Sequence, residues 1–194
     1  MTKEITGKVL VIGNPDVGKT SLFKIIENSS VVDLYTTIQP TLLKYSRVIS
    51  DTKVNVELWD TPGNTTYKTM LKNYLRNTIA FIFVFDKSCT QSFEELDDWY
   101  EFVSSATEIK LCYVVGNKTD LPSPQVSNEK AEEWAKAHKA KYIETSAVTR
   151  ENVDFLFSTV TKDIFELSPK DDSTSDEKRN EVPIKLSKKK QQCC

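Results

Sequence analysis

No apolar run in this chain of 194 residues approaches the roughly 20 residues that a membrane helix needs, so no helical span is expected. Met1 to Gly7 lacks the basic start and apolar stretch of a secretory signal, and the expectation is a protein that stays in the cytosol. Cysteine is scarce. Cys89 and Cys112 stand apart while Cys193 and Cys194 close the chain, which makes neither a disulfide framework nor a zinc spacing. A net charge of −2 supplies no overall field for nucleic acid, so no nucleic-acid partner is expected. No internal repeat is present, and the single histidine, His138, lies among lysines late in a polar stretch, where a solvent-facing position is expected rather than a catalytic one.

What is present suits one α/β domain followed by a tail. Lys8 to Ile12 is a short branched apolar run ending at Gly13, and Ser21 to Glu27 then carries apolar residues at helical spacing, giving strand, loop and helix. Leu42 to Ile49 and Lys53 to Leu58 flank Ser50-Asp51-Thr52 as a hairpin. Ile79 to Phe85 and Leu111 to Val115 read as strands covered on both faces, so Phe81, Phe83 and Phe85 belong to the core. Helices are expected over Ser92 to Ser105, with Phe93, Leu96, Trp99, Tyr100 and Val103 on one stripe, over Asn128 to His138, and over Glu151 to Leu167. Tyr142-Ile143 is a last short strand. The alternation predicts a doubly wound α/β fold with helices on both faces of a mainly parallel six-stranded sheet with one antiparallel strand. From Ser168 the composition turns polar and charge-mixed, with little to bury, which predicts a folded domain over 1–167 and a disordered tail over 168–194.

Gly13-Asn14-Pro15-Asp16-Val17-Gly18-Lys19-Thr20 satisfies GxxxxGK[ST] between a strand and a helix. Such a loop turns backbone N–H groups around phosphates, Lys19 neutralises the outer ones, and the Thr20 hydroxyl can ligate Mg²⁺. Glycine at 18 permits close approach. A kinase or ATPase would share this loop, so the base must be read elsewhere. Asn117-Lys118-Thr119-Asp120 follows a strand at the carboxyl edge where open α/β sheets bind ligands. The Asp120 carboxylate can accept from the ring N–H and the exocyclic amine of guanine, a donor pair that adenine lacks. Asn117 would brace the loop and reach the base, and the Lys118 stem would lie over its face. Glu144-Thr145-Ser146-Ala147 completes the base pocket with the Ala147 amide facing the guanine carbonyl.

These motifs, in this order and covering Lys8 to Leu167, resemble a Ras-superfamily small GTPase of P-loop fold. Softer features are similar to its Rab branch: Tyr35-Thr36-Thr37-Ile38, Trp59 before Asp60, Asp97-Asp98-Trp99, and the paired terminal cysteines. The resemblance implies GTP/GDP and Mg²⁺ as cofactors, with a nucleotide site of Asp16, Val17, Gly18, Lys19, Thr20, Ser21, Thr37, Gly63, Asn117, Lys118, Asp120, Ser146, Ala147 and Val148. It implies Thr20, Thr37 and Asp60 around the metal, a Gly63 amide that senses the γ-phosphate, and Lys19, Thr37 and residue 64 in hydrolysis. Pro40-Thr41 also resembles the Pro-Thr of Ras-type effector loops. Alignment at Thr37 needs no gap to Asp60, whereas Thr41 requires a shortened hairpin.

Two features depart from the family. Asp60-Thr61-Pro62-Gly63-Asn64-Thr65 stands where Asp-Thr-Ala-Gly-Gln-Glu is usual. Asn64 is one methylene shorter than glutamine, and misplacing a water-positioning group by ~1 Å can cost ~10²-fold in rate. Slow intrinsic hydrolysis is therefore expected, the alternative being a nucleotide-holding interaction protein with negligible turnover. Pro62 removes an N–H donor, and Pro15 and Asp16 replace small residues, so the Asp16 side chain should point away from the phosphates. The terminal Cys193-Cys194 pair resembles the doubly geranylgeranylated Rab tail, aided by Lys188-Lys189-Lys190 toward anionic lipid. Val182 to Leu186 resembles the motif that engages the Rab escort protein. Exchange factor, GTPase-activating protein, effectors and GDP-dissociation inhibitor are the other implied partners, and vesicle-mediated traffic at the cytoplasmic face of an intracellular membrane the implied setting.

Overall fold

The computed structural model describes residues 3–28 and 37–168. Tyr35, Thr36, the tail motifs and both terminal cysteines lie outside the described residues. The elements are β1 (Lys3–Ile12), α1 (Lys19–Ile26), β2 (Thr41–Ile49), β3 (Thr52–Asp60), a 3-10 turn (Thr65–Tyr67), α2 (Lys68–Leu75), β4 (Thr78–Asp86), α3 (Thr90–Glu94), α4 (Leu96–Ser104), β5 (Leu111–Asn117), α5 (Asn128–Ala137), β6 (Lys141–Glu144) and α6 (Val153–Leu167). The strands order as β2-β3-β1-β4-β5-β6. Only the β2–β3 pair is antiparallel; β3–β1, β1–β4, β4–β5 and β5–β6 are parallel.

Alternation along the strands divides the core between two faces. On β4, Ala80, Ile82 and Val84 join Val9, Leu22, Phe157 and Val160 against α1 and α6. Phe81, Phe83 and Phe85 point the other way, to Leu71, Leu96, Trp99 and Trp134 of α2, α4 and α5. All three phenylalanines are fully buried, each worth about 1.5–3 kcal/mol of transfer free energy.

Several boundaries differ from the sequence expectation. β1 begins at Lys3, because Lys3 to Gly7 pair with Thr52 to Val56 of β3 although that segment is poor in apolar residues. The helix expected over Ser92 to Ser105 is two, meeting at Glu95, whose ψ of −1 departs from the ideal helical value while staying in the right-handed region. α2 was not anticipated. The last helix starts at Val153, after Asn152 in the left-handed conformation at φ 55. His138 is only partly solvent-facing: it stacks on Trp134 at 4.0 Å and meets Tyr100, on a helix distant in sequence, edge-on at 4.3 Å. Cys112 is buried as expected, and burial pushes its thiol up to about 12; Cys89 is half-buried.

β1 has β3 on one side and β4 on the other, so the chain leaves it at the point where strand order reverses, and there the loop to α1 opens a cleft.

Candidate functional site

The cleft, ≈ 440 Å³, runs along the carboxyl ends of β1 and β5. Asp16, Gly18, Lys19, Thr20 and Ser21 line it from the loop and α1, Thr37, Gly63 and Asn64 from the two segments flanking the hairpin, and Asn117, Lys118, Asp120, Ala147 and Val148 from the loops after β5 and β6. Val17 and Ser146 stand just behind this wall, at 1% and 0% exposure. The assembly joins residues from five stretches of sequence.

At the phosphate end, α1 starts at Gly18 without a side-chain cap, so its first N–H groups remain available to an anion. Gly18 has φ 96, and a Cβ there would stand 2.2 Å from Asn117 Nδ2, so the loop can close on the end of β5 only with glycine. Lys19 is 5% exposed and donates to the carbonyls of Gly13 (2.8 Å) and Asn14 (2.6 Å). Burial pushes its ammonium down to about 8, against the opposing pull of the Asp60 and Asp16 carboxylates. Asp16 lines the cleft with an exposed side chain and φ 60.

Thr20 Oγ1 donates to Asp60 Oδ2 at 2.6 Å, with Thr37 Oγ1 at 2.8 Å from Thr20 Oγ1 and 3.3 Å from Asp60 Oδ2. Burial pushes the Asp60 carboxyl up, while the Thr20 hydroxyl and the Lys19 charge oppose the rise. Asp60 Oδ1 is buried without a hydrogen-bond partner among the described residues. Two hydroxyls and a carboxylate with one orphaned oxygen form a hard-oxygen set that fits Mg²⁺ bound through one carboxylate and its waters. Thr37, not Thr41, is the threonine that reaches this cluster. Thr41 pairs with Asp60 at the start of β2 and is exposed.

Gly63 packs against the phosphate loop so closely that a Cβ would stand 2.3 Å from Pro15 N and 2.4 Å from the Asn14 carbonyl carbon. Asn64 lines the cleft, but its Oδ1 already accepts from Thr66 N and Thr66 Oγ1, both at 2.9 Å, capping the 3-10 turn. The following helix α2 is held by Lys68, whose ammonium sits 4.7 Å from the Trp99 ring centroid, and by Lys8, which donates to Tyr74 O at 2.6 Å.

The base end is more densely bonded. Asn117, 1% exposed, donates to Val17 O at 2.8 Å and accepts from Thr145 Oγ1 at 3.1 Å, so its side chain braces the two loops at the wall of the cleft. Ser146 Oγ donates to Asp120 Oδ1 at 2.5 Å and accepts from the amides of Val148 and Thr149. Lys118 lies along the cleft with its ammonium 2.7 Å from Asp86, which bonds to Ser88 as well and is held below the usual carboxylate range despite burial. Behind them Lys87 is buried, donating to Glu144 and Asn128, while its backbone bonds to Asn117 and accepts from Gln125 and Val126.

Sequence reasoning missed Lys87, Asp86 and the bonds of Asn14 to α3–α4. A polar residue directly after a buried strand was the only available signal for Asp86 and Lys87.

The sequence model of the Ras family matches residues 8–166. The Ras-related protein RABA4d of Arabidopsis thaliana is 31% identical over 173 residues, 88% of this chain and 78% of the relative. The Ras-related protein rab-39 of Caenorhabditis elegans is 31% identical over 168 residues, 81% of this chain and 72% of the relative. The cleft lies within the matched sequence, and the chain belongs to the Ras family, as a Rab-like small GTPase.

Proposed function

We propose that this chain is a GTP/GDP-dependent switch in vesicle-mediated membrane traffic that binds effectors in its GTP form and hydrolyses GTP slowly on its own. Ras-family GTPases in general bind GTP and GDP with Mg²⁺ and act as hydrolases. The observation that carries the switch reading is the convergence of Thr20, Thr37 and Asp60 beside Gly63, because Thr37 and Gly63 come from the two segments that flank the hairpin. Mg²⁺ bound by Thr20, Thr37 and Asp60 supplies positive charge against the phosphate oxygens. Lys19 exchanges its two carbonyl partners for phosphate oxygens, and the Gly63 amide faces the terminal one. Loss of that phosphate removes the anchor of both segments, which releases a partner that reads the ordered form.

The Ser146–Asp120 bond at the base end supports guanine as the base. Asp120, oriented by Ser146, accepts the two guanine donors, and Ala147 and Val148 close over the base beside Lys118. For hydrolysis, Asn64 is the weak member: its carbonyl oxygen is committed to Thr66 and is not free to order the attacking water. Family turnover is already slow, ~10⁻⁴ s⁻¹. The domain spans 1–167, and the tail from 168 to 194 carries geranylgeranyl groups on Cys193 and Cys194 that anchor it to the cytoplasmic face of an intracellular membrane, cycling with the cytosol through escort protein and GDP-dissociation inhibitor. An exchange factor and an activating protein complete the cycle.

The same Asn64 geometry favours a second reading, a nucleotide-holding protein with negligible turnover. Single-turnover GTP hydrolysis by wild type and Asn64→Gln, with and without an activating protein, separates them. We expect the glutamine variant to hydrolyse faster unaided, by on the order of tenfold or more; equal rates would falsify the assigned role of Asn64. Wild type that stays inert even with an activating protein would establish the second reading.

A further inference from the structure

Asn14 is the one phosphate-loop residue whose side chain turns out of the cleft into a bonded network. Its Nδ2 donates to Glu95 Oε2 at 2.7 Å, and its Oδ1 accepts from Trp99 Nε1 at 2.7 Å. Glu95 is the residue at which α3 and α4 break, and its other oxygen accepts from Gln91 Nε2 at 2.7 Å. The indole can only donate and the carboxylate can only accept, so residue 14 must offer one acceptor and one donor. An amide does so and a carboxylate cannot. Asn14 is 9% exposed and Trp99 is 1% exposed, so an unmade bond here carries the full cost of a desolvated polar group.

The backbone of the same residue faces the other way. Its carbonyl accepts from Lys19 Nζ at 2.6 Å, and its peptide link to Pro15 is the surface against which Gly63 packs without room for a Cβ. Trp99 in turn offers its ring face to Lys68, the first residue of α2. One side chain thus fixes the peptide that meets the phosphate lysine and the phosphate-sensing glycine, and the ring that receives its bond also seats the helix following that glycine.

We propose that Asn14, Glu95 and Trp99 form a positioning unit that sets the phosphate loop against Lys19 and Gly63, so that retention of the nucleotide depends on the donor and acceptor pattern at residue 14. None of the three lines the cleft; they act through Lys19 and the Asn14–Pro15 peptide. The unit rests on the reading that the cleft holds GTP or GDP.

Asn14→Asp places a second carboxylate against Glu95, whereas Asn14→Asp with Glu95→Gln restores the pattern with the donor on the opposite partner. Release of fluorescently labelled GDP from full-length protein with Mg²⁺ reads the effect. Asn14→Asp should release GDP faster by on the order of tenfold, and the double variant should return to within about twofold of wild type. A single variant equal to wild type, a double variant no slower than the single, or a lowered melting temperature with unchanged release would overturn the proposal. Should Asn14→Asp fail to fold, Trp99→Phe decides: it keeps a ring for Lys68 and removes the indole donor together with part of a buried ring, whose packing loss the melting temperature reads separately. Release several-fold faster supports the unit, and unchanged release overturns it. Wild type that holds no labelled GDP overturns the reading of the cleft, and this inference with it.

Discussion

At the base end of the cleft the side chains that shape the pocket are bonded to one another: Asn117 to Val17 and Thr145, Ser146 to Asp120, Lys118 to Asp86, Lys87 to Glu144. At the phosphate end, Asp60 keeps one oxygen unpartnered, Lys19 rests on backbone carbonyls, and α1 begins without a side-chain cap. The difference separates two tasks. A pocket that chooses guanine must be rigid beforehand, since an unpaired carboxylate penalises the wrong base only if it cannot move away. A sensor must gain its partners from what it senses, since only differential contacts shift a conformational equilibrium.

The strongest attack on this contrast removes the base reader. Asp120→Ala should lower GTP affinity by at least on the order of 10²-fold, because two charge-assisted hydrogen bonds are lost. Isothermal titration measures it, and a loss under about threefold would mean that guanine is read elsewhere. The next attacks rigidity. Lys87→Met leaves Glu144 without its buried partner and should cost roughly 2 kcal/mol, below the full value for a buried pair because Glu144 keeps 31% side-chain exposure. Thermal or urea unfolding checks it; unchanged stability would show the base end to be less tightly built than its bonds imply. The smallest effect sharpens the other side of the comparison. Gly63→Ala forbids the close packing on Asn14 and Pro15, so the ratio of GTP to GDP affinity should fall about tenfold while GDP binding is kept. Equal loss for both nucleotides would place Gly63 outside the sensor.

Much of this was readable from the chain because it is local. Strand, loop and helix around GxxxxGK[ST] follow one another within a few residues, and the strands of β4 and β5 announce themselves by continuous apolar runs. What escaped depends on partners far away in sequence. Lys3 to Gly7 become strand only because β3 offers its backbone edge. The break at Glu95 has no glycine or proline to mark it. His138 reads as a surface residue until Tyr100 and Trp134 are brought beside it. The Asn14–Glu95–Trp99 bonds span separations of 81 and 85 residues, beyond any window of periodicity. Choosing Thr37 over Thr41 needed the fold as well. The gap argument pointed to it, and the distances to Thr20 and Asp60 bring it to the cluster.

The β2–β3 hairpin has a further consequence. Its register runs without interruption from Ile49↔Thr52 at the turn to Thr41↔Asp60 at the site, so the ladder works as a gauge rod between Thr37 and Asp60. Changes beyond its outer end, at Ser50 and Asp51, lengthen the rod away from the cleft and leave the inner spacing intact. A single-residue deletion within β2 instead shifts the scale by one mark and turns every side chain to the other face. The chain can therefore accept a grafted loop at its hairpin tip and keep the Thr37–Asp60 spacing.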